Sequence, residues 1–294
     1  MPVAPDAPPD APDANVAPPA SAAPERAGGR VARAIFVITY LASFFVGAVV
    51  FAVTGGIDPV VATWANLAIV VVFAAVGSWV YRDTWVRSFR LTRERPWVTF
   101  GLFVAGLVSI FVLPTIVSLV VLLLGGSPTG VNQAQLVAAL GGADTWWVIA
   151  LAAVVFGPVV EELVFREALA WRLRHRLPAW LLIVGSSLLF GLWHLKDVAD
   201  LVSVLVYASM GLVLAGTMWL TRGNLLVAVL VHSLRNLASV VLLLALSVAG
   251  SSSRGSPAAP AGGRRRRRAP RRRSPRRCAW RRPGRAAAGS RRCS

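Results

Sequence analysis

Glu161, Glu162, Arg166 and Glu167 interrupt an otherwise apolar run, residues 154–173, that is long enough to cross a bilayer. An ionisable group at membrane depth costs roughly 2.5–3.5 kcal/mol on insertion scales, so such a cluster marks chemistry or a paired charge network. Glu162 and Arg166 are four residues apart, on one helical face, where they can pair. Glu161 lies about 100° further round the same helix, so the two carboxylates need not share a partner. Gly157-Pro158 just before them predicts a kink that frees backbone carbonyls near the site. Two further apolar stretches carry groups of the same kind. In LLFGLWHLKD, Phe190 and His194 are four apart; in LVHSLRNLASV, His232 and Asn236 are four apart, with Arg235 off their face.

A carboxylate and a histidine in an enclosed pocket of low dielectric can hold and deprotonate a water. Glu161 and His194 supply that half. His232 and Asn236 bring donors suited to the developing oxyanion of an attacked carbonyl. Hydrolysis of an amide needs both halves. The alternative chemistry is a zinc site with Glu161, His194 and His232 as ligands and a metal-bound water. No His-Glu-x-x-His sequence occurs, so the usual zinc-protease signature is missing. A non-catalytic reading stays open beside both. In it Glu162–Arg166 is a buried ion pair that fixes packing, and His232 and Asn236 make interhelical hydrogen bonds.

The elements that must position these residues are membrane helices. The chain has 294 residues, 56% of them hydrophobic, and a mean hydropathy of +0.63, too apolar for a soluble domain of this length. The expected fold is all-α, a polytopic bundle of about seven spans, or eight. The spans are placed at 34–54, 60–80, 98–124, 147–171, 178–195, 201–220 and 224–248. Residues 1–30, rich in Pro and Ala, are expected to be disordered, residues 31–249 form the membrane domain with a functional core at 146–248, and residues 250–294 form a disordered arginine-rich tail. The formal charge of +18 is misleading, because residues 251–294 hold sixteen arginines and no acid. The body is nearly neutral and calls for no nucleic acid. Both cysteines, Cys278 and Cys293, also lie in the tail.

Arginines set the expected orientation. They cluster in 81–96, at Arg172, Arg174 and Arg176, and at Arg222, whereas 55–59 and 125–145 have none. The positive-inside rule then puts the N-terminus in the cytoplasm and the chain in the plasma (inner) membrane, with the bilayer as its first partner. Seven spans leave the basic tail on the opposite side, against the bias of every earlier loop.

Glu161-Glu162-x-x-x-Arg166, Phe190-x-x-x-His194 and His232-x-x-x-Asn236, in that order on separate spans, resemble the three motifs of the CAAX protease and bacteriocin-processing family, intramembrane endopeptidases related to the type II CAAX prenyl endopeptidase. The resemblance covers residues 146–248. It implies an endopeptidase acting on a membrane-associated peptide or protein, historically labelled a metalloendopeptidase but with a glutamate-based mechanism that needs no metal, so no cofactor is expected and zinc is the alternative. Glu161 and His194 would activate water, His232 and Asn236 would hold the oxyanion, and Glu162, Arg166 and Phe190 would order the pocket. Some relatives are thought to be non-catalytic immunity or scaffold proteins. Glu167 departs from the pattern, which often has a small residue there, and neither it nor Arg235 has an assigned role.

Overall fold

The computed structural model describes residues 27–127, 145–195, 197 and 200–254. The chain divides into a unit ending at Ser253 and a second unit, Arg254–Ser294; of the latter only Arg254 is among the described residues. Of the regions expected to be disordered, 1–30 and 250–294, residues 1–26 and 255–294 lie outside them, as does most of the 125–145 loop, whereas 27–30 and 250–254 are helical.

The described residues form a helical bundle without strands. Four helices open it: α1 (Ala27–Thr54), α2 (Pro59–Val80), α3 (Arg82–Glu94) and α4 (Pro96–Leu123). The expected start of the first span, near residue 34, comes late by about two turns, since α1 begins at Ala27. Asp58 caps α2 by accepting from the backbone N–H groups of Val60 and Val61, which satisfies two of the orphan donors at a helix start. The arginine-rich loop expected at 81–96 is the helix α3. It buries a polar stripe, Thr84 and Ser88, and leaves Arg82, Val86, Phe89, Arg90 and Arg93 exposed.

The fourth span, Trp146–Leu173, is broken rather than straight. It runs as α5 (Trp146–Leu151), a wide π turn (Ala152–Phe156), α6 (Gly157–Glu161), a second π turn (Glu162–Ala168) and a short 3-10 turn (Trp171–Leu173). The break follows from the proline. In π register the amide of residue i bonds the carbonyl of i−5, as Gly157 does to Ala152. Pro158 has no N–H to give, so the Ala153 carbonyl loses its partner within the helix. The second π turn ends at Ala168 and the span as a whole at Leu173, close to the 171 expected from hydropathy.

Three helices complete the bundle: α7 (Ala179–Trp193), α8 (Ser203–Leu220) and α9 (Leu225–Arg254). Among the described residues six helices are long and apolar enough to cross a membrane, and α7 is not one of them. Its 15 residues reach about 22 Å at 1.5 Å per residue, against a hydrocarbon core of about 30 Å. The expected full span at 178–195 is thus corrected to a short helix that stops at His194. It packs closely on α8: a side chain on Gly211 would strike Ser187, and one on Gly191 would strike the Val204 carbonyl. Small residues are what allow helices to approach this closely in a membrane. The apolar core between the helices centres on Phe36, Ile110, Leu163, Phe165, Phe190 and Leu214.

Candidate active site

The second π turn and α9 bring the acids and His232 into one buried cluster. His232 Nδ1 donates to Glu162 Oε1 at 3.0 Å, and its Nε2 lies 3.7 Å from Glu161 Oε2. The two carboxylates, expected to need no common partner, thus share one imidazole through its two nitrogens. On the other side of Glu162, Oε2 pairs with Arg166 Nε at 3.2 Å, with both side chains fully buried. The pairing expected from the spacing of four is present. A buried charge is tolerated only when compensated, and here Arg166 compensates. Its guanidinium also lies over the Phe190 ring, 4.5 Å from the centroid, a cation–π contact in a desolvated setting.

Glu161 differs from Glu162 in one respect that matters for chemistry. Its side chain is 16% exposed, whereas Glu162 is at 0%. Of the two acids, only Glu161 is open to a reactant.

His194 ends α7. Its Nδ1 is 2.8 Å from the Phe190 carbonyl. A carbonyl only accepts, so Nδ1 carries the proton there and Nε2 presents a lone pair. The ring is fixed from both faces, stacked on Tyr207 at 4.5 Å and packed against Phe190 at 4.5 Å. Phe190 in turn meets the His232 ring edge-on at 5.7 Å, so one phenyl ring links Arg166, His194 and His232. Asn236 Nδ2 donates to the Ala153 carbonyl at 2.8 Å. That is the carbonyl left without a partner by Pro158, so the amide of α9 closes the gap that the proline opens in the fourth span.

Three site neighbours escaped the sequence reading. Tyr40, on α1, is buried against Trp193 with ring centroids 4.8 Å apart. Tyr207 stacks on His194. Trp193 packs against Phe165 and Tyr40. All three are single aromatic residues in apolar runs, and nothing in composition or spacing distinguishes them from ordinary core. Among the described residues no group of three or more His, Cys, Asp or Glu side chains is placed to hold a metal ion.

Glu167 faces away from this cluster and is fully buried beneath α3. It accepts from Arg87 Nη2 at 2.6 Å and from Thr84 Oγ1 at 2.9 Å, and it pairs with Arg172 Nε at 3.1 Å. Arg87 donates further to the Gly223 carbonyl through Nη2 at 3.1 Å and Nε at 3.3 Å. Gly223 has φ +84°, and a Cβ there would collide with the Trp171 indole, so glycine is required at this turn on both counts. Ser88 Oγ accepts from the Leu225 amide at 3.0 Å, and Asn224 donates to Thr92 at 2.8 Å. Asp83 is bridged by Arg33 and Arg172 at 2.7 and 2.8 Å. Its burial raises the carboxyl pKa, but the hydrogen bond and charge of Arg172, with the charge of Arg33, outweigh this and hold it below the usual carboxylate range. Arg235 lies over Phe111 of α4, 5.2 Å from the ring centroid, and donates to Ser239.

The sequence model of the type II CAAX prenyl endopeptidase Rce1-like family matches residues 143–238, a third of the chain. No curated protein and no solved structure matches it. The matched stretch opens just before the fourth span and closes just after Asn236, so it contains every side chain of the Glu161–Glu162–His232 cluster. Over residues 143–238 the chain is similar to the Rce1-like type II CAAX prenyl endopeptidases.

Proposed function

We propose that the protein is an intramembrane endopeptidase that hydrolyses a peptide bond in a membrane-associated peptide or protein, with Glu161 as the base. The observation that carries this reading is one imidazole, His232, held between an accessible carboxylate and a fully buried one. Glu161, with the Nε2 lone pair of His194, orients a water and takes its proton as the oxygen attacks the carbonyl carbon. His232, as an imidazolium, donates from Nδ1 to Glu162 and from Nε2 toward the oxygen that gains charge. Its charge and that of Arg166 then balance the two glutamates. When the C–N bond breaks, Glu161 returns the proton to the leaving amine. Asn236 acts chiefly by holding the break in the fourth span, and its second amide hydrogen remains to assist at the oxyanion. No step needs a metal, and the substrate's own sequence is left to experiment.

The test compares membranes carrying the wild type with membranes carrying Glu161→Gln at equal abundance, by peptide mass spectrometry. A substrate should accumulate in the variant, with turnover reduced by about 10²–10⁴-fold or more, the usual weight of general acid–base catalysis. Unchanged peptide profiles would instead favour a non-catalytic family member in which Glu162–Arg166 serves packing alone.

A further inference from the structure

The arginines of α3 enclose a cleft of about 330 Å³ lined by Arg82, Asp83, Val86, Arg87 and Arg90. Neither the family match nor the reaction above uses it. α3 joins two membrane-crossing helices, α2 and α4, so it lies where the hydrocarbon meets the headgroups. Val86 is 68% exposed and Phe89 56%. Bulky apolar side chains left bare among arginines on one face suit a helix lying in the membrane plane, apolar groups among acyl chains and cations at phosphate level.

The charge of the cleft is not balanced from within. Arg33, Arg82, Arg87, Arg90, Arg172 and Arg174 gather at this end against the carboxylates Asp83, Glu94 and Glu167. Asp83 is already taken by Arg33 and Arg172, and Glu167 by Arg87 and Arg172. Arg90 meets Glu94 at 3.6 Å with both side chains more than half exposed, a contact worth little in water. Arg174 carries the mark of this crowding: burial, and then the neighbouring charges of Arg87 and Arg172, lower its pKa against a smaller opposing pull from Glu167. Arg87 is also fixed in advance. Glu167 and the Gly223 carbonyl hold its guanidinium from behind, so little side-chain freedom is left to lose when an anion arrives.

We propose that this cleft binds the phosphate of an anionic phospholipid, between Arg82, Arg87 and Arg90, with Val86 and Phe89 seated among the acyl chains. The proposal concerns binding alone and stands whether or not the endopeptidase reading does.

The test places the full chain in bilayer nanodiscs of phosphatidylcholine mixed with phosphatidylglycerol and reads the lipids retained after extraction by native mass spectrometry. The wild type should retain phosphatidylglycerol in preference to phosphatidylcholine. Arg82→Gln with Arg90→Gln should weaken that preference by about 30-fold, from ~1 kcal/mol per arginine near the surface. The pair Arg95→Gln with Arg222→Gln, which removes the same charge outside the cleft, should leave the preference within about twofold. Equal losses from the two pairs, or no preference in the wild type, would overturn a localised site. A fall in phosphatidylcholine retention equal to that of phosphatidylglycerol would overturn recognition of charge. Glycerol 3-phosphate or inorganic phosphate added in the water phase should not displace the lipid; if either does, the cleft takes a soluble phosphate and the lipid is not its ligand.

Discussion

Glu162 is the residue on which the geometry of the cluster turns, because it binds Arg166 with one oxygen and His232 with the other. Removing its charge leaves Arg166 buried and uncompensated, which typically costs 3–5 kcal/mol. Glu162→Gln should therefore lower stability by about that amount, whereas Glu162→Gln combined with Arg166→Gln should cost less than the two changes added. Equilibrium unfolding in mixed micelles reads this coupling, and strictly additive losses would refute it. Glu161→Gln, at the accessible acid, should leave stability within about 1 kcal/mol while turnover collapses. This contrast separates two neighbouring acids whose difference in accessibility has no signal in the sequence. Spacing revealed the Glu162–Arg166 pair, since residues four apart face one way. It did not reveal that Glu161 and Glu162 meet the same imidazole. That depends on the π turn at Glu162–Ala168 and on the placement of α9, neither of which has a local signal.

At the scale of elements, the decisive device is a proline whose missing hydrogen is supplied from another helix. Pro158→Ala restores an N–H that can reach the Ala153 carbonyl, which then no longer depends on Asn236. In the wild type, Asn236→Ala should cost about 1–3 kcal/mol by stranding a buried carbonyl; in the Pro158→Ala background the same change should cost under half of that. Thermal unfolding of the four variants measures it, and an unchanged cost would show that Asn236 does not serve this carbonyl. Gly157-Pro158 was legible in the sequence as a break, and the freed carbonyl was expected. Its partner was not, because Asn236 lies 83 residues beyond Ala153. The α3 helix was hidden for a different reason. Its buried face is Thr84 and Ser88, polar residues that serve Glu167 and the start of α9, so an apolar period could not announce it.

Across the whole molecule, the arginine-bearing turns meet at one end. Asp83 joins Arg33 of α1 to Arg172 after the fourth span, and Arg87 joins Glu167 to Gly223 before α9. The charge bias of the sequence sorted these segments to a common side, and the bundle unites them there. Single cysteines in place of Arg93, Arg176 and Arg222, in a background lacking Cys278 and Cys293, should all react with an impermeant maleimide from the same side of sealed vesicles. A split among the three would break this topology.

The short reach of α7 has one more consequence. At the stop of α7 the Phe190 carbonyl takes the His194 imidazole, and the Gly191 and Leu192 carbonyls take the amides of His194 and Leu195; irregular backbone at membrane depth persists only inside protein or beside water. His194 sits at that stop, about 8 Å short of the surface opposite the arginines if α7 starts level with the other. Hydrolysis consumes one water for every bond cut, in a medium that offers almost none. In the proposed hydrolysis, the early stop of α7 would let that water reach His194 from the face of the membrane away from the basic end.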